Sequence, residues 1–286
     1  MENQVEVRAK IGLEMISSNY SAATDRPVGF LDSGIGGLPY LARARELLPS
    51  ERFVYYADHE NFPYGERAVA DVRRIVQTAV SELVAREQPK LVCVACNTAS
   101  VVSLDSLRST FNIPFVGVVP AIKPAGMLSG GGRIAVLATA RTVDDPYVAN
   151  LIKEFAAESS VELVAAGKLV DAIENGLSTL DRQHLRALLA KPVEELRRSE
   201  VDVVVLGCTH FVHIRDELQS MLGDSMRVVD SVEGVARQVA RVCDNVGRCS
   251  AKSGSDLIIV SDGVNANYRA LAERFGLVLQ TGNRVR

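Results

Sequence analysis

Two segments of the chain, LVCVACNTAS from Leu91 and VVVLGCTHFV from Val203, share a plan that could do chemistry. In each, an apolar run ends in Ala or Gly, then Cys, then a Thr one or two positions later, so a buried strand would deliver Cys96 or Cys208 at its end. Upstream of each stands a strand ending in polar residues: Asp32 and Ser33 lie 64 and 63 residues before Cys96, and Thr139 lies 69 before Cys208. Ligands of open α/β sheets bind at the carboxyl ends of strands. Two related units facing each other would therefore place one thiol on each side of a shared cleft.

Other cysteine and histidine patterns are weaker. Cys93 and Cys96 form a C-x-x-C string, but residues three apart on a strand point to opposite faces, so Cys93 reads as a small core residue. Cys208, His210 and His213 gather a thiol and two imidazoles, yet His59 and His184 stand in polar loops without metal spacing, and no second ligand group is found. No metal site is expected. A thiol at a helix N-terminus beside an imidazole instead favours a reactive thiolate, with His210 tuning or sharing a proton with Cys208. His213 is expected on the following helix as a surface or packing residue.

Asp32-Ser-Gly-Ile-Gly-Gly37 follows an apolar strand and could turn backbone N–H groups toward an anion. Pro39 spoils the dinucleotide fingerprint and the P-loop lysine is missing, so a capped strand-to-helix turn is the plain alternative. Asn61-Phe-Pro-Tyr-Gly65 is adequately explained as a turn with a half-buried ring. Cys243 and Cys249 follow no such pattern and are given no role. Asp144, Asp145, Glu194 and Glu195 read as solvated helix ends or faces.

These residues need a frame, and the pattern around them is β/α alternation. Short apolar runs recur at Val28–Leu31, Arg52–Tyr56, Leu91–Ala95, Phe115–Val119, Arg133–Ala138, Val161–Ala165, Val201–Leu206, Met226–Val229 and Leu257–Val260. Between them, apolar positions at Val72, Ile75, Val76, Ala79, Val80 and Leu83 repeat near 3.6 and predict a helix over Val69–Ala85. Tyr147–Ala157 and Leu185–Leu196 fit further helices, and Gly130-Gly-Gly132 a turn.

At 286 residues, 47% hydrophobic and 23% charged, the chain has ordinary globular composition and room for one or two cores. Its net charge of −3 offers no basic field for nucleic acid. Residues 1–26, broken by Glu2, Glu6, Arg8, Lys10 and Glu14, read as a polar extension rather than a signal peptide. No apolar run approaches the roughly 20 residues that span a bilayer. Five cysteines, an odd number, suggest free thiols in a reducing, cytoplasmic setting.

Taken together, LDSGIGG, YYADHENFPYGE, VACNTAS, GVVPAIKPA and VLGCTHF resemble the glutamate racemases of the aspartate/glutamate racemase family, over Val28 to about Val232. The resemblance implies two Rossmann-like, three-layer α/β domains related by a pseudo-two-fold axis, with the active site in the cleft between them. The implied division is 1–26 as extension, 27–118 plus 229–286 as the first domain, and 119–228 as the second. It also implies inversion of glutamate at its α-carbon without cofactor or metal. Cys96 would take the proton from D-glutamate and Cys208 from L-glutamate, with Asp32 assisting Cys96 and His210 assisting Cys208. Ser33, Asn97, Thr98 and Thr209 would hold the carboxylates and ammonium. Substrate contacts would extend to Pro63, Tyr64 and Gly65 of a matching loop, to Thr139 and Thr142, which keep the family spacing, and to Asp32, Glu174 and His210; Asp58 and Glu174 align with family acids. Asp144 and Asp145 depart from the pattern and would put acid near an anionic substrate. By the same resemblance the product serves peptidoglycan, and some members require a UDP-linked muramyl precursor as activator. Monomer and homodimer both remain open. The alternatives are an aspartate racemase, against which His210 speaks where an acidic group would be expected; a hydrolase using Cys208 with His210; and a catalytically dead binding protein.

Overall fold

The structure is a computed structural model that describes residues 24–177 and 181–282. Most of the extension expected at 1–26 therefore lies outside the described residues. In chain order the elements begin with β1 (Val28–Asp32), α1 (Leu38–Leu47), β2 (Phe53–Ala57), 3₁₀ turns at His59–Asn61 and Tyr64–Glu66, α2 (Val69–Glu87), β3 (Leu91–Val94), α3 (Asn97–Thr110) and β4 (Phe115–Gly117). A second series follows: α4 (Ile122–Ser129), β5 (Arg133–Ala138), α5 (Ala140–Val143), α6 (Pro146–Phe155), β6 (Ser160–Ala165), α7 (Gly167–Gly176), α8 (Arg182–Arg198), β7 (Val203–Leu206), a 3₁₀ turn at Thr209–Ile214, α9 (Arg215–Leu222) and β8 (Arg227–Val229). The chain closes with α10 (Val232–Val246), β9 (Leu257–Val260), α11 (Ala266–Phe275) and β10 (Val278–Thr281).

The strands form two parallel sheets, ordered β10-β9-β2-β1-β3-β4 and β6-β5-β7-β8. The run β2-β1-β3-β4 within the first matches β6-β5-β7-β8 of the second, with the cysteine following β3 in one and β7 in the other. The plan shared by the two cysteine segments is thus a repeat of topology. It places Asp32 at the end of β1 and Thr139 just past β5, each one strand away from its cysteine strand. Strands β1, β2, β3 and β7 are buried along their whole length, which explains their unbroken apolar runs.

One apolar cluster runs between the sheets, joining Phe30, Tyr55 and Val260 of the first to Val204, Leu206 and Phe211 of the second. Separate clusters cover the outer face of each sheet. Cys93 faces the central cluster and Cys96 the outer one, as expected where β3 ends at Val94. The helix predicted over Val69–Ala85 is α2, which buries the six apolar positions that marked it. Strand β10 escaped the sequence reading because Val278 and Thr281 stay exposed at the sheet edge.

Cys243 and Cys249 belong to a buried polar cluster. Lys90 places its ammonium 2.6 Å from the Glu51 carboxylate and donates to the Thr24 and Gly247 carbonyls at 2.8 and 2.9 Å. The Cys243 thiol and the Cys249 N–H donate to the other Glu51 oxygen. This ties the loops before β2 and β3 to the chain after α10. Breaking a buried ion pair by removing one partner leaves an uncompensated charge, typically at about 3–5 kcal/mol. Lys90→Met should therefore lower unfolding free energy in urea by about that much, with a Glu51→Gln, Lys90→Met double variant losing less.

Candidate active site

Strand β3 stops at Val94, and Cys96 occupies the N-cap position of α3 with extended backbone. The turn leaves its thiol near the N–H groups of Thr98 and Ala99. Strand β7 ends likewise, and Cys208 caps the Thr209–Ile214 3₁₀ turn with nearly the same backbone angles. Both thiols line one narrow cleft together with Ser33, Pro63, Tyr64, Gly65, Asn97, Thr98, Thr139, Thr142, Thr209 and His210. Val170 and Gly207, which the sequence reading did not select, complete the wall.

Asp32 and Glu174 stand behind this wall and are not among its lining residues. Asp32 accepts from the Thr209 hydroxyl at 3.1 Å, so its direct bond reaches across to the Cys208 side. Burial, opposed in part by His210 and Thr209, raises its pKa to about 6. The Glu174 carboxylate accepts from the Ile35 N–H (2.9 Å), the His210 Nε2–H (2.8 Å) and the Tyr268 hydroxyl (2.6 Å). Burial alone would neutralise it, but these donors and the imidazolium win and hold it well below the usual carboxylate range. His210 shows the mirror image: burial would lower its pKa, yet Cys208 and Glu174 push it well upward. Its Nδ1 lies 3.9 Å from Cys208 Sγ. The Cys96 thiol has no imidazole, and burial followed by the Asp32 charge drives it upward. The two cysteines thus share a topology but not an electrostatic setting.

The glycine-rich loop has a use other than anion binding. A Cβ on Gly34 would collide with the Glu174 carboxylate, and one on Gly36 with Thr209 and His210. These glycines admit side chains of the opposite sheet unit. On the other side of the cleft Gly65 does the same, since a Cβ there would lie 2.8 Å from Thr139. The hydroxyls of Thr98, Thr139 and Thr142 form a triangle of 3.1–3.3 Å contacts across the junction. Asn97 is the outstanding polar group: it is 3% exposed, and neither its amide nitrogen nor its oxygen has a hydrogen-bond partner among the described residues. A buried orphan amide in a cleft wall is suited to a polar ligand.

Several expectations need correction. His213 lies on the 3₁₀ turn rather than on a following helix, and its Nε2–H donates to the Ile35 carbonyl at 3.0 Å, bridging the units. Burial brings its pKa down to about 4. His59 opens a short 3₁₀ turn in its loop and approaches Glu174 Oε1 at 3.3 Å, whereas His184 sits in the first turn of α8 rather than in a loop. Asp145 caps α6 by accepting from the Tyr147 N–H, and Asp144 ends α5. Neither lines the cleft, so the departing acids do not face its contents. Asp58 is buried and accepts from Tyr64 at 2.6 Å, which steadies the Pro63–Gly65 loop. Among the described residues no helix is long and apolar enough to cross a membrane.

Comparison with known proteins gives this geometry its context. The Asp/Glu/hydantoin racemase family profile matches residues 40–239. Glutamate racemase of Treponema pallidum (strain Nichols) is 39% identical over 249 residues, covering 87% of this chain and 93% of that protein. Glutamate racemase of Shewanella sp. (strain MR-7) is 44% identical over 216 residues, 75% and 78% of the two chains. The crystal structure of Escherichia coli glutamate racemase in complex with L-glutamate and activator UDP-MurNAc-Ala superposes with a TM-score of 0.81 at 37% identity, covering 90% of this chain and 98% of that one. Aspartate racemase of Picrophilus torridus, at 16% identity and a TM-score of 0.51, shares the fold. With the profile covering most of the chain and relatives near 40% identity along it, this protein belongs to the Asp/Glu/hydantoin racemase family.

Proposed function

We propose that the protein is a glutamate racemase that interconverts L- and D-glutamate by two-thiol proton transfer at the α-carbon. The observation that carries this reading is the placement of Cys96 and Cys208 on one cleft at the ends of equivalent strands. In the proposed step one cysteine, as thiolate, takes the α-proton, and the other thiol donates its proton to the opposite face of the planar carbanion. One C–H bond breaks and one forms, so protons and charge balance within the site. Cys96 acts on D-glutamate and Cys208 on L-glutamate. His210, pushed toward its cationic form by Cys208 and Glu174, sets a positive ring beside Cys208, whereas burial and the Asp32 charge favour the protonated thiol at Cys96.

The Asn97 amide, the Ser33, Thr98, Thr139, Thr142 and Thr209 hydroxyls, and the Pro63–Gly65 loop hold the substrate's carboxylates and ammonium. Preorganised donors of this kind stabilise charge as it develops next to the carboxylate. The division 27–118 plus 229–286 and 119–228 assigns one thiol to each domain. The setting is cytoplasmic peptidoglycan synthesis, with a UDP-linked muramyl precursor as activator. The E. coli complex with such a compound supports the activator.

Circular dichroism of L- or D-glutamate in deuterated buffer should show inversion, with solvent deuterium entering at the α-carbon. Cys96→Ser should reduce turnover in both directions by about 10²–10⁴. Full activity of that variant would sink the two-thiol mechanism, and a product of new mass would point to a hydrolase. Turnover of aspartate in preference to glutamate would favour the alternative racemase.

Asp32 generates a second expectation. Its folded pKa of about 6 lies above the ordinary 3.8, so the stability it contributes is present below pH 4 and is lost as pH rises through 6. A shift of two units corresponds to about 3 kcal/mol. Asp32→Asn should therefore unfold at higher urea than wild type at pH 8, with the gap closing by pH 4, while turnover collapses. An equal gap at both pH values would contradict the assignment.

A further inference from the structure

Glu174 lies on α7 of the second sheet unit, yet much of what holds it comes from the first. Past β9, Asn265 caps α11 by accepting from the Tyr268 N–H, which sets Asn267 and Tyr268 in the helix's opening turn. Both side chains point at Glu174. The Tyr268 hydroxyl donates to Oε1 at 2.6 Å, and the Asn267 amide donates to the Glu174 main-chain carbonyl. That carbonyl belongs to the last turn of α7, where helical carbonyls lack partners within the helix. One contact therefore fixes the backbone and the other the carboxylate. His59 packs edge-on against Tyr268 and reaches the same oxygen, while Phe62 packs tilted against the His210 ring. Helix α11 lies beyond residue 239, where the family match ends.

We infer that Tyr268 and Asn267 are positioning residues for the second thiol: by fixing Glu174 they aim His210 at Cys208, so the C-terminal helix of the first unit completes the proton-transfer apparatus of the other. This rests on the two-thiol reading for its catalytic consequence. The geometry also makes the effect one-sided. The Glu174 chain ends at His210 and Cys208, while Cys96 is flanked by Asn97, Thr98 and Ala99 and has no bond to it.

The test uses the full chain and two readouts. Tyr268→Phe keeps the ring and removes the hydroxyl, so kcat should fall roughly 10-fold with KM changed less than about twofold, the scale seen when a supporting partner of an active group is lost. In parallel, peptide mapping after limited iodoacetamide treatment at pH 7 gives the ratio of Cys208 to Cys96 alkylation. Because the thiols share one cleft, their ratio cancels changes in access. It should drop several-fold in Tyr268→Phe and in Asn267→Ala. Leu271→Ala, a core substitution on the same helix, should lower the melting temperature and leave the ratio unchanged. An unchanged ratio in both Tyr268→Phe and Asn267→Ala overturns the proposal, as does an equal drop in Leu271→Ala. The alkylation readout needs no turnover, so absence of glutamate racemisation in wild type would fail the functional reading while this one is still decided.

Discussion

A carboxylate buried out of reach of water governs the site. Glu174 is 1% exposed, and keeping its charge there demands several donors at once. The Ile35 N–H and the Tyr268 hydroxyl come from one sheet unit, and the His210 imidazole from the other. Its neighbours are constrained in turn. Residue 34 must be glycine for the carboxylate to reach Ile35, and residue 36 must be glycine for His210 and Thr209 to sit beside the loop. Satisfying one buried charge therefore docks the two units and orients an imidazole in the same stroke. A hydrophobic residue in its place would be easier to bury, but it could not hold a cationic ring beside a thiol.

The same constraint explains why a duplicated topology yields unequal thiols. Cys96 and Cys208 occupy the same place in matching strand orders and have nearly the same cap geometry. What differs is the charge that acts on each. Asp32 adds negative charge to a buried thiol and favours its protonated form, whereas His210 brings a positive ring to the other. Proton transfer between opposite faces of one carbon needs one base and one acid at any moment. Local charge supplies that difference without altering the fold.

Much of this was legible in the sequence wherever local pattern carried it. Buried parallel strands show as apolar runs, and a Cys at the end of two such runs pointed to a shared cleft. The glycine-rich loop was legible as a tight turn, but its deeper reason was not, because the atoms that forbid a Cβ belong to residues 174, 209 and 210. Asn267 and Tyr268 carry no motif, and His59 lies in the YYADHENFPYGE string without a pattern that marks its partner; all three meet Glu174 only through tertiary packing. Lys90 and Glu51 were equally silent, since a charged residue at a strand entrance looks solvent-facing until its partner is known. The acids at 144 and 145 were legible as helix ends, which is what they are; only the family alignment set them near the substrate, and the helix caps keep them off the cleft.

The strand order has a bearing on how the protein is made. Strands β5 to β8 and their helices are contiguous, so that sheet can be completed while the C-terminal segment is still being synthesised. The other sheet cannot, because β9 must pair with β2 across some 200 residues of intervening chain, and α11 follows β9. Domains emerging from the ribosome generally fold as units in order of synthesis. Here the unit that starts first finishes last. The helix that anchors Glu174 is among the final elements to emerge, so a nascent chain can hold both cysteines before it holds the means to set them to work.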